Sequence, residues 1–259
     1  MFCGIERSLP AAGLPLPPFL SIVIPALNEE QRLPDTLARL LGFIEQQSYA
    51  SEVLVVDNGS TDATAEIARE FGRAHPTIRL LRSDRRGKGL AVRLGMLAAA
   101  GEYRFFCDAD LSMPVDQIGR FLPPALTDVD IAIASREAAG AVRYAEPLYR
   151  HWIGRAFNLL VRLLAVPGLH DTQCGFKCFR AEAAQDLFAV QRLDGWTFDV
   201  EVLFIARQRG YRVAEIPVPW YYVPGSRVRP VRDSVAMLVD LFRIRAGWRR
   251  GWYARPPSG

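Results

Sequence analysis

The first half of the chain alternates short, continuously apolar runs with segments whose apolar residues recur at helical spacing. The apolar runs predict strands at 20–25, 52–57 and 78–81, from Tyr103 up to Asp108, and at 131–134. Strands this uniformly apolar are typical of a parallel sheet that is covered on both faces. The pattern therefore predicts an α/β fold with a mainly parallel central sheet and helices on both faces.

Helices are predicted between the first four of these strands. The first has Pro34 in its first turn, where proline is tolerated, and Asp62 is expected to cap the second. Gly87-Lys88-Gly89 opens the third helix. That helix should bury three leucines at helical spacing, Leu90, Leu94 and Leu97.

The second half of the chain is less regular. A helix at 150–164, a polar loop at 170–177, a helix at 197–208, a strand at 213–217 and a helix at 233–245 are predicted. The 150–164 helix should carry one broad apolar face of Trp152, Ile153, Phe157, Leu160 and Leu164. The last helix should carry an apolar stripe of Val235, Leu238, Val239 and Phe242 beneath flanking arginines. These elements predict a Pro-rich arm at 1–19, one domain at 20–232, and a basic amphipathic helix with a tail at 233–259.

Composition supports one large globular domain. The chain has 259 residues, of which 50% are hydrophobic and 23% charged. Its net charge of +4 comes almost wholly from arginine, because Lys88 and Lys177 are the only lysines. Arginines crowd the C-terminal end, which favours an anionic partner such as a phosphate or a lipid surface.

Neither a disulfide framework nor a zinc site is indicated. The four cysteines include no CxxC pair, and the three histidines are scattered. The longest apolar stretch, 152–169, is interrupted by Arg155, Arg162 and Pro167, so it falls short of a membrane span. No signal peptide is apparent at the N-terminus. A soluble or surface-bound protein in a reducing compartment is expected.

The polar residues that could carry chemistry follow the predicted strands. Asp108 and Asp110 end the Tyr103 strand, and two carboxylates this close repel each other unless a positive group lies between them. A hard divalent cation, Mg²⁺ or Mn²⁺, suits such oxygen ligands. The alternative is a solvated turn in which one Asp caps the helix that starts near Pro114. Loops at 25–30, 57–62, 108–112 and 135–137 would meet at the carboxyl edge of the sheet, where ligands bind in such folds.

Eight short segments together resemble family 2 glycosyltransferases of the GT-A fold, over roughly residues 20–245. They are SIVIPALNE at 21–29, VVDNGSTD at 55–62, GKG at 87–89, DAD at 108–110, SR at 135–136, DTQCGFK at 171–177, WTFDVE at 196–201 and PGSRV at 224–228. Each is weak alone, but their order and spacing are specific. The chain looks most like the group of dolichyl-phosphate β-glucosyltransferases and dolichol-phosphate mannose synthases, and the last three segments favour the glucosyl branch.

The resemblance implies a set of residues around the donor sugar nucleotide. Pro25, Ala26, Asn28 and Glu29 would lie near the base, with Asp57 accepting from base or ribose, Lys88 near a phosphate, Asp108 and Ala109 near the sugar or ribose, and Asp110 on the metal. The metal would neutralise charge on the departing nucleoside diphosphate. Asp57 as a simple turn-former and Lys88 as a solvated lysine remain the alternatives.

The resemblance also implies an acceptor that is a polyprenyl phosphate. A lipid monophosphate is already ionised near neutral pH, so the protein must mainly position it, and arginine grips phosphate with two donors. The candidates for this cradle are Arg136, Arg227 and Arg229. Asp171 aligns with an acidic position thought to assist catalysis or the metal, alongside Asp108 and Asp110. Trp196, Asp199 and Glu201 would define the sugar pocket, although Trp196 could equally be a core aromatic.

The predicted activity is inverting transfer of a hexose, best glucose from UDP-glucose, onto a polyprenyl or dolichyl phosphate. Two alternatives stay open: mannosyl transfer from GDP-mannose, and a hydroxyl acceptor that would need Asp171 or Asp199 as base. The expected location is peripheral, on the cytoplasmic face of a membrane, with no nucleic-acid partner. A dinucleotide-dependent oxidoreductase is disfavoured because no Gly-rich turn follows the first strand. A non-catalytic basic module would leave Asp57, Asp108 and Asp110 without a role, and a nucleotidyltransferase would release pyrophosphate instead.

Overall fold

The computed structural model describes residues 17–145, 147–223 and 230–255. Within these ranges the chain forms strands β1 Leu20–Ala26, β2 Ser51–Asp57, β3 Ile78–Arg82, β4 Tyr103–Cys107, β5 Ile131–Ser135, β6 Val142–Tyr144, β7 Phe176–Arg180, β8 Val213–Pro217 and β9 Pro219–Tyr221. The helices are α1 Leu33–Glu45, α2 Thr64–Ala74, α3 Lys88–Ala98, α4 Leu148–Leu164, α5 Ala181–Val190, α6 Phe198–Gln208 and α7 Pro230–Arg249, with a 3-10 helix at Val115–Phe121.

Seven strands form the central sheet in the order β3-β2-β1-β4-β7-β5-β8. The pairings of β1 with β2 and β4, of β2 with β3, and of β5 with β8 are parallel, so these carboxyl ends share one edge. A second, two-stranded parallel sheet pairs β6 with β9. The predicted α/β architecture with a mainly parallel sheet is confirmed.

Alternate residues of each central strand enter two separate cores. In β1, Ile22 and Ile24 face a core formed with α1, α2 and the 3-10 helix. Val23 faces the other core, which includes residues of α3, α5, α6 and α7. This alternation is what a strand produces when both faces of its sheet are covered. Helices therefore lie on both faces, as predicted.

One central strand was not predicted from the sequence. The 170–177 segment was assigned to a polar loop, but β7 begins at Phe176 and lies antiparallel between β4 and β5. The misleading residue is Lys177, a charge inside an otherwise apolar run that is nevertheless only 1% exposed. Because β7 runs against its neighbours, the turn before it enters the edge where the parallel strands end. It thereby brings Gly175 next to Asp108.

The inward face of α3 was predicted only in part. Leu90 is buried and Leu97 packs against the core, but Leu94 is 37% exposed. The helix instead approaches the sheet through small residues such as Ala91 and Gly95, and a methyl group at Gly95 would overlap Val23 of β1. The spacing of the leucines therefore predicted a buried face that is rotated around the helix axis from the face that contacts the sheet.

The C-terminal helix is longer than predicted, and three of the four residues in its predicted apolar stripe are exposed, whereas Leu238 packs against the core. Val235, Val239 and Phe242 are 61%, 45% and 58% exposed. Met237, Leu241 and Ile244 are the residues that α7 buries in the core. Because α7 spans Pro230–Arg249, the predicted domain boundary at 232/233 falls inside it.

Helix α4 also presents apolar side chains to the outside. Leu159 and Leu163 are exposed, and so is Leu160, which was predicted on the apolar face. The side chains of Trp152, Ile153 and Phe157, predicted on the same face, lie outside the described residues. In the described part of the chain, none of the helices combines the length and apolarity needed to cross a bilayer.

Candidate active site

The loops that follow β1 and β2 are bonded to each other. The Asn28 amide nitrogen donates to Ser60 Oγ at 2.8 Å, and Asn28 Oδ1 accepts from the Thr61 amide at 2.8 Å. The Glu29 amide donates to Thr64 Oγ1 at 2.7 Å. Asn28 has a positive φ of 46°, which Asn tolerates better than most residues. Asn28, which was predicted to lie near the base, therefore also fixes the shape of this loop pair.

Asp62 was predicted to be the N-cap residue of α2. It lies next to the start of this helix but is not the N-cap residue. The N-cap is Ala63, whose side chain cannot cap. The Asp62 carboxylate nevertheless accepts from the Thr64 amide at 3.0 Å, so it satisfies a free donor of the first turn. These bonds lower the pKa of Asp62, although its partial burial acts in the opposite direction.

Asp57 ends β2 and is fully buried at the same edge. Its Oδ1 accepts from the Ser60 amide at 3.1 Å, and its Oδ2 lies 3.4 Å from Arg82 Nε. The backbone amide of Asn58, the residue after Asp57, donates to the Ala26 carbonyl oxygen at 2.8 Å. The ends of β1 and β2 thus form one bonded rim, in which Pro25 pairs with Val56 and Ala26 with Asp57.

Lys88 and Asp108 form an ion pair in the centre of the rim. The Lys88 Nζ lies 2.6 Å from Asp108 Oδ1 and 5.4 Å from the centre of the Trp196 ring. Burial alone would lower the pKa of Lys88, but the charges of Asp108 and Asp199 outweigh it and raise that pKa. An ammonium whose charged form is favoured therefore lies where β4 ends, over the face of an indole ring.

Gly175 lies directly against the Asp108 carboxylate. The Asp108 amide donates to the Gly175 carbonyl at 3.1 Å. A methyl group added to Gly175 would overlap both the carboxylate carbon and its oxygens. Only glycine therefore lets Asp108 keep its position beside Lys88.

Asp110 lies two residues further along and opens onto a cavity. Its Oδ1 accepts from the Ser112 amide at 3.0 Å, and the next residue, Leu111, has a positive φ of 44°. The helix that follows is capped by Pro114 without a side-chain bond, so neither Asp caps it. The cavity has a volume of about 1010 Å³, and Asp110, Ala109, Thr36 and Tyr221 are among its lining residues.

The electrostatics of Asp110 suit a cation. Burial and the neighbouring charge of Asp108 raise the pKa of Asp110, and the hydrogen bonds from Ser112 and the charge of Lys88 offset this only in part. Within the described residues, no group of three or more His, Cys, Asp or Glu side chains could enclose a metal by itself. Two carboxylates fit a hard cation that takes its remaining oxygens from a diphosphate and water.

Asp171 is fully buried and bonded to Arg136. Its carboxylate accepts from the Arg136 backbone amide at 2.9 Å, from Nε at 2.7 Å and from Nη2 at 2.9 Å. Burial would raise the pKa of Asp171, but the charge and hydrogen bonds of Arg136 overcome this and hold the pKa at about 2. A carboxylate this acidic is a poor base, so its direct effect is to orient the Arg136 guanidinium, which also lies 5.5 Å from the Trp220 ring centre.

Asp199 is paired with the buried lysine of β7. Lys177 Nζ donates to Asp199 Oδ1 at 2.6 Å and to the Cys174 carbonyl at 2.5 Å. Asp199 is 4% exposed, and burial raises its pKa in spite of the neighbouring Lys177 and Lys88 charges. Asp199 therefore belongs to the charged cluster around Asp108 but is already bonded on one oxygen.

Glu201, predicted in the sugar pocket, is fully buried and is not among the residues that line the cavity beside Asp110. It is 0% exposed, and its oxygens accept from the Arg192 and Leu193 amides and from the Tyr253 hydroxyl. A sugar hydroxyl could reach it only by displacing these donors. Arg227 and Arg229, predicted as phosphate ligands, lie outside the described residues.

Comparison with known proteins decides the family. Residues 21–188 match the family described as Glycosyl transferase family 2. The chain belongs to this family. It is 38% identical over 240 residues to a dolichyl-phosphate beta-glucosyltransferase of Drosophila melanogaster, covering 87% of this chain and 74% of the relative. It is 33% identical over 265 residues to the Homo sapiens protein of the same name, covering 96% of this chain and 81% of the relative.

Solved structures of related shape share the fold of this family 2 glycosyltransferase. Glucosyl-3-phosphoglycerate synthase from Mycobacterium tuberculosis, in complex with UDP, superposes with a TM-score of 0.64 at 21% identity, over 93% of this chain and 82% of that one. The same synthase has been crystallised with Mn²⁺, UDP and phosphoglyceric acid, with a TM-score of 0.63 at 20% identity. The GT-A fold predicted from the sequence is confirmed.

Sequence reasoning missed three residues that build the site of this glycosyltransferase. Gly175 and Lys177 were assigned to a loop, and Asn58 was given no role of its own. Asn58 Oδ1 accepts from the Gly87 amide at 3.1 Å, so it joins the rim of β2 to the start of α3. The signal that the sequence offered was Lys177, which interrupts an apolar run that begins directly after Gly175. A lysine buried in such a run must have an anionic partner.

Proposed function

We propose that this family 2 glycosyltransferase transfers glucose from UDP-glucose to a polyprenyl phosphate, with inversion at the anomeric carbon. The observation that carries the proposal is the Lys88–Asp108 pair, 2.6 Å apart, beside the cavity that Asp110 lines. Curated relatives that match nine-tenths of the chain are dolichyl-phosphate beta-glucosyltransferases, which favours glucose over mannose. One in-line displacement by the acceptor inverts the configuration.

The donor would lie along the rim formed by the ends of β1, β2 and β4. Pro25, Ala26, Asn28, Glu29 and Asp57 would surround the base and ribose, and Ala109 would lie beneath the sugar nucleotide. Lys88 would approach the diphosphate from beside Trp196, and Trp196 would present its ring to the sugar. In this arrangement Asp108 keeps the Lys88 ammonium charged and fixed in direction.

A divalent cation, Mg²⁺ or Mn²⁺, fits the residues present. Asp110 would hold it, because its carboxylate lies near that of Asp108, and Ser112 and Lys88 compensate the resulting charge repulsion only in part. When bound, such a cation neutralises charge that develops on the leaving diphosphate. Solved synthases of the same fold have been crystallised with either ion and UDP.

The acceptor that the site favours is a phosphate and not a hydroxyl. A hydroxyl acceptor needs a base, but Asp171 has a pKa of about 2 and Asp199 is bonded to Lys177. A phosphate monoester brings its own charged oxygen and needs mainly cationic groups to place it. Arg136, oriented by Asp171, would supply one such group, and Arg227 and Arg229 are proposed to supply others.

A polyprenyl chain lies in a bilayer, so the protein must reach a membrane surface. The exposed apolar residues of α7 and α4, among them Phe242 and Leu163, offer a surface that enters the headgroup layer. Arginines along α7, such as Arg243 and Arg249, suit anionic lipids. We propose peripheral binding to the cytoplasmic face of a membrane.

A donor panel tests the proposal. The purified full chain is incubated with polyprenyl phosphate in detergent and Mn²⁺, and release of nucleoside diphosphate is measured for UDP-glucose, UDP-galactose and GDP-mannose. UDP-glucose should be used at least about tenfold faster than the others, since one well-placed polar contact discriminates by that factor or more. Polyprenol in place of polyprenyl phosphate should give no product. Preference for GDP-mannose, or for polyprenol, would contradict the proposal.

A further inference from the structure

The loop at 192–196, which joins α5 to α6, holds two parts of the site at once. It carries Trp196, whose ring lies against Lys88. Its Asp194 carbonyl accepts from the Gly89 amide at 2.9 Å and from the Leu90 amide at 3.3 Å, which are free donors in the first turn of α3. The position of Lys88, at the start of α3, therefore depends on this loop.

Glu201 in turn holds the loop. Its Oε2 accepts from the Arg192 amide at 3.1 Å and from the Leu193 amide at 2.8 Å. Burial raises the pKa of Glu201, while these amides and the Tyr253 hydroxyl act against that rise. Glu201 is fully buried, so no solvent replaces a donor that is lost.

The remaining donor to Glu201 comes from the C-terminal end of the described chain. Tyr253, 4% exposed, donates its hydroxyl to Glu201 Oε1 at 2.8 Å. Next to it, the Trp252 carbonyl accepts from Arg192 Nε at 3.3 Å and Nη2 at 3.2 Å. Asp240 of α7 accepts from Thr197 Oγ1 at 2.9 Å, just beyond the loop. The C-terminal segment thus contacts the loop and its flanks at three separate points.

We propose that Tyr253 and Glu201 are positioning residues through which the C-terminal segment fixes the 192–196 loop, and with it Trp196 and Lys88, in the donor site. The proposal rests on the proposed function for its effect on turnover. The same segment carries the exposed apolar face of α7, so the helix that would lie on the membrane is bonded to the donor site. Both residues are buried, so they would act through the loop and not by direct contact with a substrate.

The variant Tyr253→Phe tests this link, because it removes one hydroxyl and keeps the ring. Tyr211→Phe is a matched control, since the Tyr211 hydroxyl donates to Asp186 Oδ2 at the same 2.8 Å but does not contact the loop. Hydrogen exchange of the Arg192 and Leu193 amides is measured in the full chain without substrate. Tyr253→Phe should speed this exchange roughly tenfold, the effect of losing one hydrogen bond to a charged group, and Tyr211→Phe should not.

Steady-state kinetics then separate positioning from general destabilisation. In Tyr253→Phe, kcat/KM for UDP-glucose should fall by roughly tenfold while the KM for polyprenyl phosphate stays unchanged. Tyr211→Phe should change neither value. Unchanged loop exchange in Tyr253→Phe, or faster exchange with kinetics equal to those of Tyr211→Phe, would overturn the inference. A wild-type protein that ignores every sugar nucleotide contradicts the proposed function instead, and the exchange measurement still decides whether the link exists.

Discussion

At the scale of single residues, the site is a set of charges whose neighbours leave each little freedom. Asp108 is bonded to Lys88 on one side and confined by Gly175 on the other. Asp171 is fixed by Arg136, and Asp199 by Lys177. Buried charges that lack partners are expensive, so each of these pairs holds its members in a defined direction. Such preorganised groups need no rearrangement when charge moves in the reaction.

Replacing Gly175 with Ala should therefore lower activity without unfolding the protein. The added methyl group overlaps the Asp108 carboxylate, which can rotate away, but only by leaving Lys88. We expect kcat to fall by at least about tenfold, since a lost charge-assisted contact costs that much, with the circular dichroism spectrum unchanged. Gly119→Ala is the control, because nothing lies within 4 Å of a methyl group there. Full activity of Gly175→Ala would show that Asp108 does not need its present position.

The pair of Asp171 and Arg136 predicts a specific acid sensitivity. The pKa of Asp171 in the folded protein is about 2, below its ordinary value of 3.8. A depressed pKa stabilises the fold above the unfolded value, and this stability is lost as the pH falls from about 4 towards 2. The contribution at neutral pH is on the order of 2 kcal/mol.

Asp171→Asn should remove this contribution and leave the Arg136 guanidinium without its carboxylate. We expect the free energy of unfolding in urea to drop by roughly 3 kcal/mol at pH 7. The difference from wild type should shrink as the pH falls towards and below 2, because Asp171 then becomes protonated in the folded protein as well as in the unfolded one. Asp84→Asn, at an exposed position, should leave the free energy of unfolding unchanged. An equal loss at both ends of the pH range would mean that the pKa of Asp171 is not depressed.

At the scale of elements, α7 has two faces with different roles. One packs Met237, Leu241 and Ile244 into the core, while Val235 and Phe242 remain exposed. The Arg245 side chain donates to the Leu164 carbonyl at 2.8 Å, which joins α7 to the end of α4. The two helices that expose these apolar residues are therefore in direct contact with each other.

Phe242→Asp should weaken binding to vesicles that contain anionic lipid. Burying a phenylalanine in a membrane interface is favourable, whereas a carboxylate there is repelled by anionic headgroups. We expect the fraction that sediments with such vesicles at low salt to fall at least about threefold. Leu94→Asp, which alters an exposed leucine on α3, serves as the control and should sediment as wild type does. Wild-type protein that stays in the supernatant at both low and high salt would contradict membrane binding.

At the scale of the whole molecule, the sequence predicted the parallel strands and the helices between them because their apolar runs are long and regular. The antiparallel β7 escaped prediction because Lys177 breaks its apolar run, and only the fold shows that Asp199 neutralises this lysine. Exposure along α7 was also unpredictable, since Val239 and Leu241 are equally apolar but face opposite ways.

The candidate site, too, has a part that the sequence predicts and a part that only the fold shows. The positions of Asp57, Asp108 and Asp110 followed from strand ends, because the carboxyl ends of parallel strands meet at one edge. Pairings that join distant parts of the chain could not be predicted, such as that of Glu201 with Tyr253. Spacing along the chain carries no information about which residue a buried carboxylate will meet once the helices have packed.

The central claim is that Asp110 holds the cation on which glucosyl transfer depends. The most direct test measures UDP release from UDP-glucose with polyprenyl phosphate, over a range of Mn²⁺ concentrations, for wild type, Asp110→Asn and Asp128→Asn. Asp128 is exposed and already has a positive φ of 58°, which Asn tolerates, so this variant is the control. Wild type and Asp128→Asn should turn over only with Mn²⁺, and Asp110→Asn should lose at least about a hundredfold in kcat. Turnover by Asp110→Asn at the wild-type rate, or wild-type turnover that persists in a chelator, would contradict the account.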